Sequence, residues 1–146
     1  MKRNIWRGVL VAMSLALPFG VLAQGKPPVM QPPFAKGPKL TTEQALKEAP
    51  KTDPSLKDLD KAFKDAEGKL KKKPKDAKVK KAYVEACYKY GHQAMLNGNK
   101  SPKVLYRAAL ALYRRALKVD PKHQPSIDDK KTIEDIYQSM PGGVPK

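Results

Sequence analysis

The sequence is short of the residues on which enzymes and metal sites depend. It has one cysteine, Cys87, and two histidines, His92 and His123. A single cysteine cannot form a disulfide within the chain, so packing must hold the fold together. Neither histidine has neighbouring carboxylates or thiols at the spacing of metal ligands, and no Gly-rich phosphate loop is present. We therefore predict a protein that is not an enzyme and that has no metal and no cofactor.

Acidic residues are also scarce, because 14 of them stand against 30 basic residues, for a net charge of +16. Removal of the predicted leader described below takes away three basic residues and no acidic one, which leaves +13. An excess of this size favours anionic partners, namely an acidic protein or peptide, a polyanion or an anionic membrane surface. Nucleic acid is a poor explanation for the charge, because an exported protein rarely meets it.

Long apolar runs are absent except near the start of the chain. A basic tip is followed by the apolar residues 8–22, and the small residues Val21 and Ala23 have the spacing that a signal peptidase accepts. The pattern predicts a signal peptide over residues 1–23 and export to the periplasm or the medium. An uncleaved membrane anchor is the alternative, but the run contains Pro18 and is shorter than the about 20 residues of a spanning helix.

Large apolar residues are few over residues 24–54, which hold seven prolines. This composition cannot bury enough surface to offset the entropy of ordering, so we predict a disordered, Pro-rich flexible segment. Within it, Thr41 and Gln44 have the spacing of a capping box, which allows a short, marginal helix that Pro50 ends.

Apolar residues recur at three- and four-residue steps from Ser55 onwards, and no stretch alternates with period two. We therefore predict an all-α domain of about four helices over residues 55–140, followed by a disordered tail over residues 141–146. The predicted helices run from Ser55 to Lys73, from about Ala77 to Leu96, from Ser101 to Asp120, and from Ser126 to Met140.

The third predicted helix carries the most specific pattern, in the sequence AALALYRRALKVDP. In it, a small residue, an aromatic residue, a second small residue and a proline follow one another at fixed steps. The preceding helix, which contains ACYKYG, carries residues suited to pack against them. These positions are Cys87, Tyr90, Gly91, Ala94, Ala109, Tyr113, Ala116 and Pro121. The pattern resembles a tetratricopeptide repeat, with the strongest likeness over residues 108–121 and a weaker one over residues 55–140. The resemblance implies a short antiparallel helix-hairpin stack, with a plain helical bundle as the alternative.

The first site that we consider is a face of the second helix. If Gly91 is the packing glycine, the resemblance implies that the neighbouring face looks into a concave groove. The candidate contacts on that face are Glu85, Tyr88, His92 and Met95. The function implied is that of an exported interaction module, a scaffold or adaptor that binds a peptide or an acidic protein. The alternative is that these residues are ordinary packing residues.

The second candidate site is a group of eight lysines between Lys69 and Lys81, here called the lysine run. Its members besides Lys69 are Lys71, Lys72, Lys73, Lys75, Lys78, Lys80 and Lys81. The run is either a solvated corner that keeps the protein soluble or an anion-binding patch. The patch implies an alternative function, the binding of a polyanion or of the envelope surface. Self-association is left open, because a short stack has open ends to bury.

Overall fold

A computed structural model describes residues 40–140 and 142–146, and within them the chain forms α-helices and no strand. The helices are α1 (Thr42–Thr52), α2 (Lys57–Lys72), α3 (Ala77–Leu96), α4 (Pro102–Val119) and α5 (Gln124–Gln138). Single 3-10 turns at Pro54–Leu56 and Gly98–Lys100 precede α2 and α4. The all-α prediction is confirmed. The predicted signal peptide, its cleavage site and the Pro-rich stretch before residue 40 lie outside the described residues.

The helices α3 and α4 form a closely packed antiparallel pair. Gly91 faces the ring of Tyr113, and Gly98 faces the ring of Tyr106, so residue numbers rise along one helix as they fall along the other. Both glycines are buried, and a Cβ atom at either position would overlap the opposite ring. The missing side chains therefore let two aromatic rings lie flat between the helices.

The central helix of the domain is α4, against which α1, α3 and α5 all pack. An amphipathic surface helix buries only one stripe, but residues 108–113 are six consecutive apolar residues and all of them are buried. A helix that is apolar all round must be covered on every side. This requirement explains why α4 needs a third neighbour besides α3 and α5.

That third neighbour is α1, and it corrects the prediction of a flexible segment over residues 24–54 only where the structure describes a helix and a 3-10 turn, from residue 42 to residue 54. Ala45, Leu46 and Ala49 of α1 are buried against α4, so the helical domain begins before Ser55. The predicted capping box of α1 is present at Thr41. The helix continues through Pro50 to Thr52, because the loss of one backbone donor is offset by the packing of the helix.

The end of the chain corrects the prediction of a disordered tail over residues 141–146. Gly142 and Gly143 have φ angles of 110° and 62°, which turn the chain back towards the helices. Arg114 then donates a hydrogen bond of 2.8 Å to the carbonyl oxygen of Pro145. Thr42 donates one of 3.2 Å to the carbonyl oxygen of Lys146. Residues 142–146 are thus fastened to α1 and α4.

A buried carboxylate, that of Asp53, joins two corners of the fold. One oxygen accepts hydrogen bonds from the amide and the hydroxyl of Ser55, at 3.1 and 2.7 Å. The other accepts from Asn97 at 2.8 Å and from Lys100 at 3.2 Å, at the turn between α3 and α4. Asp53 is the N-cap of the 3-10 turn that precedes α2. These bonds, above all the one from the Ser55 hydroxyl, lower the pKa of Asp53.

The lowered pKa of Asp53 predicts a loss of stability in acid. Its contribution is present above the ordinary carboxyl pKa of about 4 and is lost as the pH falls through the lower folded-state value. We expect Asp53→Asn to flatten the fall in unfolding temperature between about pH 5 and pH 2, measured by circular dichroism. The exposed Asp58→Asn is the control and should keep the native slope. Equal slopes for all three proteins would contradict the role of Asp53.

Candidate functional site

The predicted groove face of α3 lies against the start of α5. The Nδ1 atom of His92 is 2.8 Å from a carboxylate oxygen of Asp129, and the Nε2 atom of His123 is 3.7 Å from a carboxylate oxygen of Glu85. The ring of Tyr88 lies between the two imidazoles, with centroids 5.5 Å from His92 and 5.4 Å from His123. These three predicted groove residues therefore hold α5 in place.

Asp129 ties this face to the core. The same oxygen that faces His92 accepts a hydrogen bond of 3.0 Å from the hydroxyl of Tyr113, which is fully buried. Burial, together with the nearby charge of Asp129, raises the pKa of Tyr113, so the phenol remains a donor. The fourth groove residue, Met95, is half-buried, with its sulfur 4.0 Å from the same hydroxyl. Helical spacing within α3 could not reveal Asp129 or His123, because Asp129 belongs to α5 and His123 is the N-cap of α5.

Ser126, His123 and Glu85 follow one another in the order of a catalytic nucleophile, base and acid. The hydroxyl of Ser126 lies 2.8 Å from Nδ1 of His123. Ser126 has no exposed surface, however, so a substrate cannot reach its oxygen. The contact stabilises the first turn of α5, which has His123 as its N-cap and begins at Gln124, two residues before the predicted start at Ser126. Among the described residues, no group of three or more acidic, histidine or cysteine side chains could hold a metal ion.

The residues that carry the repeat resemblance lie mainly in the core. Seven of the eight belong to α3 and α4 and are buried, and Pro121 is exposed in the turn after α4. Burial raises the pKa of the Cys87 thiol to about 12. The thiolate is the reactive form, so Cys87 is an inert packing residue. This agrees with its interpretation as a small buried core residue.

The lysine run occupies the corner from the end of α2 to the first turn of α3, and all of its side chains are exposed. Lys71 pairs with Glu67 at 3.2 Å, and the other members have no acidic partner in the part of the chain that the structure describes. The carboxylate of Asp76, within the run, caps α3 by accepting from the amides of Lys78 and Val79. Positive charge is therefore concentrated and largely uncompensated at this corner.

A groove of about 440 Å³ lies between α2 and α3 beside the lysine run. We call it the α2–α3 groove, and it is lined by Ala62, Asp65, Ala66, Lys69, Lys78, Val79, Ala82 and Ala86. Its floor consists of alanines and one valine, and its charged side chains stand at the rim. Of these alanines, Ala62 is exposed and Ala66 is half-buried.

A second cleft, of about 470 Å³, is also lined by basic residues, but several of these pair with acidic residues. It lies between α1, α4 and residue 146. Arg115 there pairs with Glu43 and Glu67, while Arg114 and Lys130 both pair with Glu134. These partners leave less free positive charge than at the lysine run. The corner between α2 and α3 is therefore the stronger candidate for an anionic partner.

Comparison of the chain with known proteins found no match among family models, curated proteins or solved structures. Over residues 40–140 and 142–146, none of the helices has both the length and the apolar character needed to cross a membrane. The described residues offer two candidate surfaces for a partner, the face of α3 and the lysine run. Of these, the α3 face is engaged with α5, and the lysine run faces solvent.

Proposed function

We propose that this chain is an exported, non-enzymatic interaction module that binds an acidic protein or peptide. The observation that carries the proposal is the lysine run, in which every member except Lys71 lacks an acidic partner among the described residues. Helices α2 and α3 hold these lysines on a fixed corner. The signal-like start supports export, and the close packing of Gly91 against Tyr113 is in keeping with the resemblance to tetratricopeptide repeats.

The alternative is a protein that binds a polyanion or the envelope surface through the lysine run alone. All lysines of the run are exposed, and this favours the alternative, because the binding of a polyanion needs a high charge density and no particular shape of the site. The α2–α3 groove favours a protein partner instead, since an apolar floor offers a polyanion nothing to bind. Lysines without arginine also give no planar fork for bidentate recognition of phosphate or sulfate.

The test is crosslinking capture by the full chain from the exported fraction, at low and at physiological salt. We expect wild type and Tyr88→Ala to capture the same acidic protein, and Lys72→Glu/Lys75→Glu/Lys80→Glu to lose it. The matched control, Lys47→Glu/Lys122→Glu/Lys131→Glu, changes the net charge equally at exposed sites outside the run and should retain capture.

Two results would overturn the proposal. Capture of protease-resistant material, with an affinity that falls linearly with the logarithm of the salt concentration, would establish polyanion binding. Loss of capture on Tyr88→Ala with full retention in the lysine variant would move the binding site to the α3 face. Circular dichroism of each variant checks that the helices are intact.

A further inference from the structure

We infer that the α2–α3 groove is the docking site for one amphipathic helix of the partner, with an apolar stripe flanked by acidic residues. The inference rests on the proposed function and specifies its site and the form of its ligand. In the part that the structure describes, no other helix lines this groove, since all of its lining residues belong to α2 and α3.

The groove has the form that a third helix requires. The α2 residues that line it, from Ala62 to Lys69, are related by steps of three and four, with Asp65 and Ala66 adjacent, and so share one face. The α3 residues, from Lys78 to Ala86, share a face in the same way. Helices pack with their axes about 8–10 Å apart, and the shorter distances need small side chains at the contact. A floor of alanines permits that close approach.

The charges at the rim define the partner. Lys69 and Lys78 border the floor without an acidic partner among the described residues, and the rest of the lysine run extends from the same end. Asp65 is the one acidic residue in the lining. A helix with glutamates on both flanks of its apolar stripe would meet lysines on both sides. A second copy of this chain would bring its own lysine run, so repulsion opposes self-association through this face.

An anionic membrane surface fits the groove less well than a helix does. Peripheral membrane binding combines basic residues with apolar side chains that protrude into the lipid. Here the apolar floor is recessed between two helices. Among the described residues, the large apolar side chain that does protrude is Leu96, which is 60% exposed. It lies about 27 Å along α3 from Lys78, at a rise of roughly 1.5 Å per residue.

The probe for the experiment is a synthetic helix-forming peptide with leucines at i, i+3, i+4 and i+7 and glutamates on both flanks. A scrambled peptide of the same composition, without the stripe, is its control. We expect the full chain to bind the striped peptide at least about tenfold more tightly by fluorescence anisotropy at low salt. Ala82→Gln, which fills the groove at an exposed position, should remove this preference, whereas Ala77→Gln on the same helix should leave it unchanged.

The outcomes separate this inference from the proposed function. Suppose that both peptides bind equally, that Ala82→Gln has no effect and that the triple lysine variant loses binding. The inference that a helix docks in the groove would then be wrong, and the proposed function would stand. Failure of both peptides to bind would contradict the inference that a helix docks in the groove. Failure of the capture experiment would contradict the proposed function. Tighter binding to vesicles with anionic lipid than to the striped peptide, again unaffected by Ala82→Gln, would show that the ligand is an anionic membrane surface and not a helix.

Discussion

Gly91→Leu is expected to lower the free energy of unfolding by about 3 kcal/mol or more, measured by urea denaturation. The first added carbon alone would lie 2.7 Å from the Cε1 atom of Tyr113. That ring is fully buried, and its hydroxyl is fixed by Asp129, so it cannot move aside cheaply. The helices α3 and α4 would have to separate, and α1, α3 and α5 all pack against α4.

The same substitution in α2 provides the control. Gly68 has nothing within 4 Å of its Cβ position, so Gly68→Leu should stabilise the protein by up to about 1 kcal/mol through helix propensity. In a Tyr113→Ala background the clash disappears. We therefore expect a coupling energy of about 1–3 kcal/mol between positions 91 and 113 in a double-mutant cycle. Equal effects at the two glycines would show that Gly91 is not a contact glycine.

Gly91 and Tyr113 were both predicted to be packing residues from the repeat resemblance, and they lie in two helices with strong local signals. Asp76 and Pro102 fix the starts of α3 and α4, and the apolar spacing fixes their inner faces. The bounds of α3 follow from the sequence almost residue for residue. The prediction of the start of α5 was less accurate, because the helix begins at Gln124, two residues before the predicted Ser126.

The role of the candidate residues depended on where other helices lie, which local spacing cannot show. Glu85, Tyr88 and His92 do share one face of α3, as helical geometry requires. That face meets α5 because Asp129 accepts from both Tyr113 and His92, a contact made across 37 residues of sequence in the second case. The α2–α3 groove could not be predicted from the sequence for the same reason, since alanines suit a buried face and an exposed face of a helix equally.

The prediction of a flexible segment before Ser55 was wrong over residues 42–54 for a related physical reason. A helix of 11 residues with an internal proline is marginal by itself. Its stability comes from α4, some 60 residues later, whose continuous apolar run requires a cover on every side. Two ties from α4 strengthen the contact, since Arg107 donates to the carbonyl oxygen of Leu40 and Arg115 pairs with Glu43.

Ala49→Asp tests whether α1 is part of the domain, and we expect it to cost about 3–5 kcal/mol in the free energy of unfolding. Ala49 has no exposed surface at the contact with α4, so the new carboxylate would be buried without a partner. Such a cost is a large part of the total stability of a domain of this size. Lys47→Asp, at an exposed position of the same helix, should change the stability by no more than about 0.5 kcal/mol. Urea denaturation measures both, and equal midpoints would mean that α1 is a tether, in which case α4 would lack the cover that its sequence requires.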